Sequence, residues 1–263
     1  MSATSEKFSD LAVRMSSGAV MAVLGIAAVW AGGIWFMAML TVICAALVWE
    51  LVRMLGGGQK RALTMAALAA GSFLAVRLLP PGVGLPFILL PAIAGIAMLE
   101  RNRSLYIVFT ALIVIACYGL AVQRVDFGFE WMLWLALVVI ATDVLGYFAG
   151  RIFGGPKFWP QVSPKKTWSG TVAGWVAAAI VGAVFMRIPG VGLEIVGISI
   201  AISMASQMGD IAESAMKRKM GVKDSSNLIP GHGGVFDRFD GMLGASVFLL
   251  LIEQLVDFPP VPL

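Results

Sequence analysis

Histidine, cysteine and charged residues are all scarce in this sequence. His232 is the only histidine, which excludes a zinc site built from several imidazole ligands. Cys44 and Cys117 both fall inside apolar runs, so a disulfide framework is not expected. Charged residues form 13% of the chain, against roughly 25% in soluble domains. The 19 basic residues exceed the 15 acidic ones without interleaved aromatics, so anionic lipid is a better partner than nucleic acid.

Apolar residues dominate instead, at 59% of the 263 residues. A helix needs about 20 largely apolar residues to cross a bilayer, and the sequence has many such runs. We therefore predict an all-α, polytopic helical membrane protein with a single integral domain over residues 1–263. The polar residues 1–17 and the paired apolar runs after them are not typical of a cleaved signal peptide. Glycine and charge punctuation predicts nine spans, at 14–31, 34–54, 62–79, 83–99, 105–123, 131–149, 170–187, 190–212 and 241–256.

Lysine and arginine predict the orientation. When the loops of the nine spans alternate between two sides, all but Arg77, Arg124 and Arg187 of the 19 basic residues fall on one side. Cytoplasmic loops carry the excess of Lys and Arg, so the N-terminus is predicted to be cytoplasmic and the C-terminus external. The two long polar loops, 150–170 and 214–240, then both face the cytoplasm.

Four aspartates lie at the predicted cytoplasmic ends of spans. Asp143 and Asp210 stand within or near the end of apolar runs, where an ionisable residue costs at least about 2.5 kcal/mol and marks a candidate site. The alternative is an interhelical hydrogen bond or a salt bridge, such as Asp210 with Lys217. Asp237 and Asp240 form a D-x-x-D pair that faces one way if the segment is helical. Several carboxylates favour a hard ion such as Mg²⁺.

The segment PGHGG places His232 between glycines, which permit a close backbone approach to a ligand; a tight turn with an incidental histidine is the alternative. The chain lacks a P-loop, so phosphate binding would rest on basic side chains. Those side chains could equally serve only to fix topology. They are Lys165, Lys166, Lys217, Arg218, Lys223 and Arg238.

Two blocks of residues resemble the signature of the phosphatidate cytidylyltransferases, also called CDP-diacylglycerol synthases. The resemblance covers the motif-bearing half, 131–263, closely and the N-terminal helices, 1–130, only as a hydrophobic pattern. Two positions depart from the family pattern, Ala149 in the F-G-R region and Ser169 in place of a glutamate. The matching positions are Ser214, Met216, Lys217, Arg218, Lys223, Asp224, Pro230, His232, Gly233, Gly234, Asp237, Arg238, Phe239 and Asp240, with Asp143, Phe148, Gly150, Arg151, Ser163, Pro164, Lys165, Lys166, Thr167, Trp168 and Gly170 in the other block.

The resemblance implies transfer of CMP from CTP to phosphatidic acid, with Mg²⁺ as cofactor, at the cytoplasmic face of a bacterial inner membrane. It assigns the metal to Asp210, Asp237 and Asp240, and Asp143 joins them by position. His232 would orient a phosphate oxygen or donate a proton. The catalytic group implied is Lys217, Arg218, Lys223, His232 and Arg238, and the substrate-binding group is Ser163, Lys165, Lys166, Thr167, Ser214, Gly233 and Gly234.

Two other functions stay open at this point. A CTP-dependent kinase of the polyprenol or dolichol type would also join CTP to a membrane lipid, but would move the γ-phosphate. A membrane transporter would use Asp143 and Asp210 to line a path, although such sites lie near the bilayer midplane. Thirty glycines permit close helix contacts, which is compatible with a homodimer.

Overall fold

The computed structural model describes residues 3–256, 258 and 259, with side chains from residue 13 onward except Pro81. The described chain is mainly helical, and it includes a two-stranded antiparallel sheet that the all-α prediction lacked. The elements in order are α1 (Ala3–Ala31), α2 (Gly33–Met54), α3 (Gln59–Leu78), α4 (Pro81–Gly84), a 3-10 helix (Leu85–Leu89), α5 (Leu90–Met98), α6 (Arg103–Ala121) with a π turn (Val122–Asp126), α7 (Phe129–Ile152), β1 (Lys157–Trp159), β2 (Ser163–Thr167), α8 (Trp168–Phe185), α9 (Glu194–Lys219) and α10 (Phe236–Leu255).

Within the described part of the chain, seven helices are long and apolar enough to cross a membrane. The predicted fourth span is broken into α4, a 3-10 helix and α5, because prolines interrupt it, and its apolar stretch runs only over Gly82–Met98. The predicted ninth span corresponds to α10, whose first turns carry Asp237, Arg238 and Asp240. The helices establish a polytopic helical membrane protein, whereas the count of nine and the cytoplasmic N-terminus stay predictions.

The chain divides into two compact units. The first unit comprises Met1–Val114 with Met220–Arg238, and the second comprises Ile115–Lys219 with Phe239–Leu263. The first unit therefore contains the N-terminal helices together with most of the polar segment before α10. The predicted single domain with halves at 1–130 and 131–263 stays a prediction.

A glycine sets the packing of α5 against α6 in the first unit. A Cβ on Gly95 would lie 1.9 Å from the ring of Tyr106, so only glycine leaves room for this buried side chain. The Tyr106 hydroxyl donates to the Pro91 carbonyl at 3.1 Å, which satisfies a polar group in an apolar interior.

Small residues and buried hydrogen bonds hold α7, α8 and α9 together in the second unit. A Cβ on Gly170 would lie 2.5 Å from the Gly146 carbonyl oxygen, so α7 and α8 approach through glycine. The Thr142 hydroxyl donates to Ser203 at 2.8 Å, and the Trp134 indole donates to Ser199 at 3.0 Å. These contacts satisfy polar groups where lipid offers no partner.

Candidate active site

Three acidic side chains converge in the second unit. Among the described residues, Asp210 and Glu213 of α9 and Asp240 of α10 each offer a carboxylate oxygen within 4.8 Å of the others. Glycine permits this approach, because a Cβ on Gly209 would lie 2.4 Å from the Asp240 carbonyl oxygen. Glu213 is buried and the other two are half-buried. Three close carboxylates form a cluster of the kind that a hard divalent cation prefers.

Strand β2 brings predicted basic residues to this acidic cluster. The Lys166 Nζ lies 2.5 Å from Asp210 Oδ2, and the two side chains are 25% and 31% exposed. Thr167 follows as the N-cap of α8, where its hydroxyl accepts from the Gly170 amide at 3.3 Å. Ser169, which replaces the family glutamate, donates to the Gly154 carbonyl. Lys166 is therefore held at the edge of the acidic cluster by a strand and a capped helix.

A cavity of about 900 Å³ lies beside the acidic cluster in the second unit. Asp143 lines it together with three other residues of α7, Gly146, Tyr147 and Gly150. Lys165 and Lys166 of the same motif block and Asp210 of α9 also line it. Aromatic side chains complete the wall, and they are Tyr147, Phe158, Trp168 and Trp175.

Helix α9 continues beyond residue 212, the predicted end of its span, to Lys219, so Asp210, Ser214 and Lys217 belong to one helix. The Ser214 hydroxyl donates to Asp210 Oδ1 at 3.2 Å. Lys217 is buried and pairs with Glu213 at 2.5 Å, one turn away along α9. Arg218 stands exposed beside it.

The segment around His232 forms a tight turn in the first unit. Gly231 and Gly233 have positive φ angles of 75° and 87°, conformations that glycine adopts without strain. The Ile229 amide donates to the Gly233 carbonyl at 2.8 Å across the turn. A hydrogen bond of 2.8 Å joins Ser17 Oγ of α1 to His232 Nδ1, and Ser17 also donates to the Pro230 carbonyl at 2.9 Å. The histidine ring is therefore held in one orientation by α1.

A second cavity, of about 460 Å³, opens at this turn. Four predicted site residues line it, and they are Lys223, His232, Gly233 and Arg238. Arg14 of α1 adds a further cation, and Asp224 and Asn227 also line the wall. The surplus of positive charge makes this cavity suitable for an anion such as a phosphate group.

Asp237 and Asp240 have different surroundings although both belong to α10. Asp237 Oδ2 accepts from the Ser225 amide and hydroxyl, both at 2.9 Å, and from the Gly234 amide at 2.7 Å. Asp240 lies in the acidic cluster of the second unit. The Asp237 carboxylate closes the polar loop before α10, and its predicted role as a metal ligand stays a prediction.

Sequence reasoning missed four residues that the structure places beside the predicted ones. Glu213 joins the acidic cluster, while Arg14 and Ser17 approach the His232 turn from α1. The fourth is Glu50, which lies within the apolar helix α2 and is fully buried. The rule that marks an ionisable residue inside a span as functional applies to Glu50 as much as to Asp143.

The chain matches the model of the cytidylyltransferase family over residues 12–256. The chain belongs to this family. The match includes α1 and α2 as well as both motif blocks, so it extends to the N-terminal helices whose motifs the sequence did not reveal. The resemblance inferred from the two motif blocks is confirmed.

Three bacterial relatives illustrate the similarity within the family. A phosphatidate cytidylyltransferase of Brucella suis is 46% identical over 140 residues, 52% of this chain and 51% of that protein. One of Bacillus subtilis is 35% identical over 156 residues, 57% of this chain and 58% of that protein. One of Haemophilus influenzae is 41% identical over 128 residues, 46% of this chain and 44% of that protein. The chain thus aligns with about half the length of these curated relatives.

Proposed function

We propose that this protein transfers CMP from CTP to phosphatidic acid and releases CDP-diacylglycerol and pyrophosphate. The observation that carries the proposal is the arrangement of both motif blocks around charged cavities in a membrane-embedded member of the cytidylyltransferase family. Relatives that bear the name phosphatidate cytidylyltransferase support the choice of substrates. The protein would therefore act as a nucleotidyltransferase of phospholipid synthesis.

The reaction requires that CTP and phosphatidic acid are aligned and that their negative charges are neutralised. A phosphate oxygen of phosphatidic acid attacks the α-phosphorus of CTP, and the bond from that phosphorus to the oxygen bridging to the β-phosphate breaks. Pyrophosphate leaves with that oxygen and its electron pair. Because the attacking oxygen is already ionised near neutral pH, no base is needed to activate it, and catalysis rests on positioning and electrostatic stabilisation.

The acidic cluster fits Mg²⁺, because it offers only oxygen ligands from three side chains. Asp210, Glu213 and Asp240 would hold the ion, with Asp143 on the adjoining cavity wall. The ion would neutralise phosphate charge when bound. This assignment adds Glu213 to the predicted set and omits Asp237, whose carboxylate binds Ser225 and Gly234.

Basic side chains provide the remaining neutralisation. In the second unit, Lys165 and Lys166 line the larger cavity and would bind phosphate oxygens there. In the first unit, Lys223, His232 and Arg238 would bind a phosphate group in the smaller cavity. Ser17 holds the His232 ring through Nδ1, which leaves Nε2 as the nitrogen that meets a phosphate oxygen.

The cellular setting follows from the helices and from the relatives. We infer that the protein resides in a bacterial inner membrane with both cavities accessible from the cytoplasm, where CTP is made. The excess of basic residues in loops predicted to be cytoplasmic supports this orientation.

Labelled CTP tests the proposed reaction. Purified protein in detergent would be incubated with phosphatidic acid, Mg²⁺ and CTP labelled at either the α- or the γ-phosphate. We expect label in the lipid only from α-labelled CTP, with one pyrophosphate released per lipid product. Lipid labelled from γ-labelled CTP would identify a lipid kinase instead. Absence of pyrophosphate release under all conditions would overturn the proposal.

A further inference from the structure

Glu50 is a buried acid in the middle of a hydrogen-bond network in the first unit. Its side chain is fully buried in α2. Oε1 accepts from the Ser226 hydroxyl at 2.5 Å and from the Val235 amide at 2.9 Å. Oε2 accepts from the Phe236 amide at 2.7 Å and from the Ser225 hydroxyl at 3.3 Å. One carboxylate therefore binds both ends of the segment between residues 225 and 236.

The donors explain why an acid occupies this position. The Val235 and Phe236 amides stand at the start of α10, where helix N–H groups lack partners within the helix and favour a negative charge. Neutral side chains could not accept four hydrogen bonds at two oxygens with the same strength, since bonds to an ionised group are stronger. The network compensates the cost of burying an acid in a membrane helix.

The loop is shaped around this carboxylate. A Cβ on Gly234 would lie 2.5 Å from Glu50 Oε1 and 1.9 Å from Ser225 Oγ. Ser225 is shared with Asp237, which accepts from both its amide and its hydroxyl. Glu50 and Asp237 therefore bind the same serine from two sides, and Gly234 leaves them room.

We propose that Glu50 is a positioning residue for the reaction: it holds the segment 225–236, which carries His232 and connects Lys223 to Arg238, in the geometry that receives phosphate. The inference rests on the proposed function and deepens it. It gives α2 a role that no motif indicated. Glu50 lines neither described cavity, so it acts through the loop and not on the substrate.

The test compares Glu50→Gln with Glu100→Gln, a control whose exposed side chain pairs with Arg61 on the surface. Glutamine keeps the volume of Glu50 but offers one acceptor oxygen and directs an NH₂ group at N–H donors. Two quantities would be measured on purified protein in detergent: kcat per mole of folded protein at saturating CTP and phosphatidic acid, and the rate of tryptic cleavage after the exposed Lys223 relative to the exposed Lys157. Overall destabilisation would raise cleavage at both sites and would leave kcat per mole of folded protein unchanged.

We expect Glu50→Gln to lower kcat by about 10- to 100-fold, as loss of supporting hydrogen bonds behind a reactive group typically does. Cleavage after Lys223 should rise about tenfold relative to Lys157, because the loop opens more often. Glu100→Gln should match the wild type in both. If kcat stays within about threefold of wild type, or if kcat falls without any change in cleavage, the positioning role is wrong.

Ser226→Ala keeps the proposal testable if Glu50→Gln does not fold. It removes one donor to Glu50 from the loop side and leaves α2 unchanged. We expect kcat to fall about two- to tenfold, the range for one hydrogen bond, with cleavage after Lys223 raised. Wild-type values of both quantities would overturn the inference. A wild-type protein inactive toward CTP would defeat the proposed function instead, and the cleavage comparison would still report whether Glu50 orders the loop.

Discussion

Lys166 on β2 forms an ion pair with Asp210 on α9. Within the second unit, the pair joins the motif block that contains Lys166 to the acidic cluster, which is distant from it in the sequence. Both side chains are partly shielded from solvent, so the pair is a stronger interaction than one on an open surface. We propose that a lysine in this position binds a phosphate oxygen beside the cation proposed for the acidic cluster.

Lys166→Ala should lower turnover by about 10²- to 10³-fold, equivalent to about 2.7–4 kcal/mol, if the lysine stabilises charge that develops on pyrophosphate. Pyrophosphate release by purified protein with phosphatidic acid in excess provides the measurement. Lys60→Ala is the matched control, since Lys60 is exposed at the start of α3 and outside both described cavities. If turnover of Lys166→Ala stays within about threefold of wild type, this lysine serves only to fix the topology.

The acidic cluster predicts a distinctive response to Mg²⁺. Asp240→Asn and Glu213→Gln should each raise the Mg²⁺ concentration needed for half-maximal activity by about 10- to 100-fold, because each removes a ligand. Asp237→Asn should also lose activity, since its carboxylate binds Ser225 and Gly234, but added Mg²⁺ should not restore it. Titration of activity with Mg²⁺ separates the two behaviours, and a Mg²⁺-dependent rescue of Asp237→Asn would place that residue among the ligands.

Two neighbouring serines on α1, Ser16 and Ser17, allow a matched pair of substitutions. Ser17 bonds to His232 Nδ1 and the Pro230 carbonyl, whereas the hydroxyl of exposed Ser16 bonds to the Val13 carbonyl of its own helix. Ser17→Ala should reduce kcat/KM by about two- to tenfold through loss of one orienting hydrogen bond. Ser16→Ala should be silent. Equal kinetics for the two variants would contradict a functional orientation of His232 by α1.

Alanine substitutions at Gly234 and Gly197 compare a glycine whose Cβ would clash with its neighbours and a helical glycine whose Cβ would not. Gly234→Ala should destabilise the protein by about 1–3 kcal/mol, because the new methyl would overlap Ser225 and Glu50. Gly197→Ala, on α9, meets nothing within 4 Å and should be neutral or stabilise by up to about 1 kcal/mol. Unfolding of both variants in detergent, followed by circular dichroism, gives the comparison. A Gly234→Ala variant as stable as wild type would show that the loop can move away from Glu50.

Cysteine labelling tests the predicted orientation. The native Cys44 and Cys117 are both buried, so background reaction should be low. Lys157 on β1 precedes α8 and Arg187 follows it, and both positions are exposed. A membrane-impermeant maleimide should label Arg187→Cys in intact cells and Lys157→Cys only after permeabilisation. Labelling of both from the same side would refute the predicted topology.

Much of the helical framework and the motif chemistry could be predicted from the sequence. Apolar runs of membrane-spanning length predict helices because lipid leaves the backbone no partner except itself. The glycines of PGHGG predict the tight turn, since Gly231 and Gly233 adopt φ angles that other residues avoid. The fourth span was less predictable, because prolines within an apolar run permit either a kinked helix or the short segments that the structure has.

Contacts between residues that are distant along the chain could be identified only from the tertiary structure. Glu50 accepts hydrogen bonds from residues 175 to 186 positions away, and helical periodicity carries no information about such distances. Asp237 and Asp240 share a helix, yet one meets loop amides and the other meets α9, because the burial and close packing around each carboxylate differ. The sequence by itself determined the membrane-embedded helices and the set of charged residues available for phosphate chemistry. Only the tertiary structure decided which acids form the cluster and which hold the loop, because a buried carboxylate is stable only beside the donors or cations that folding brings to it.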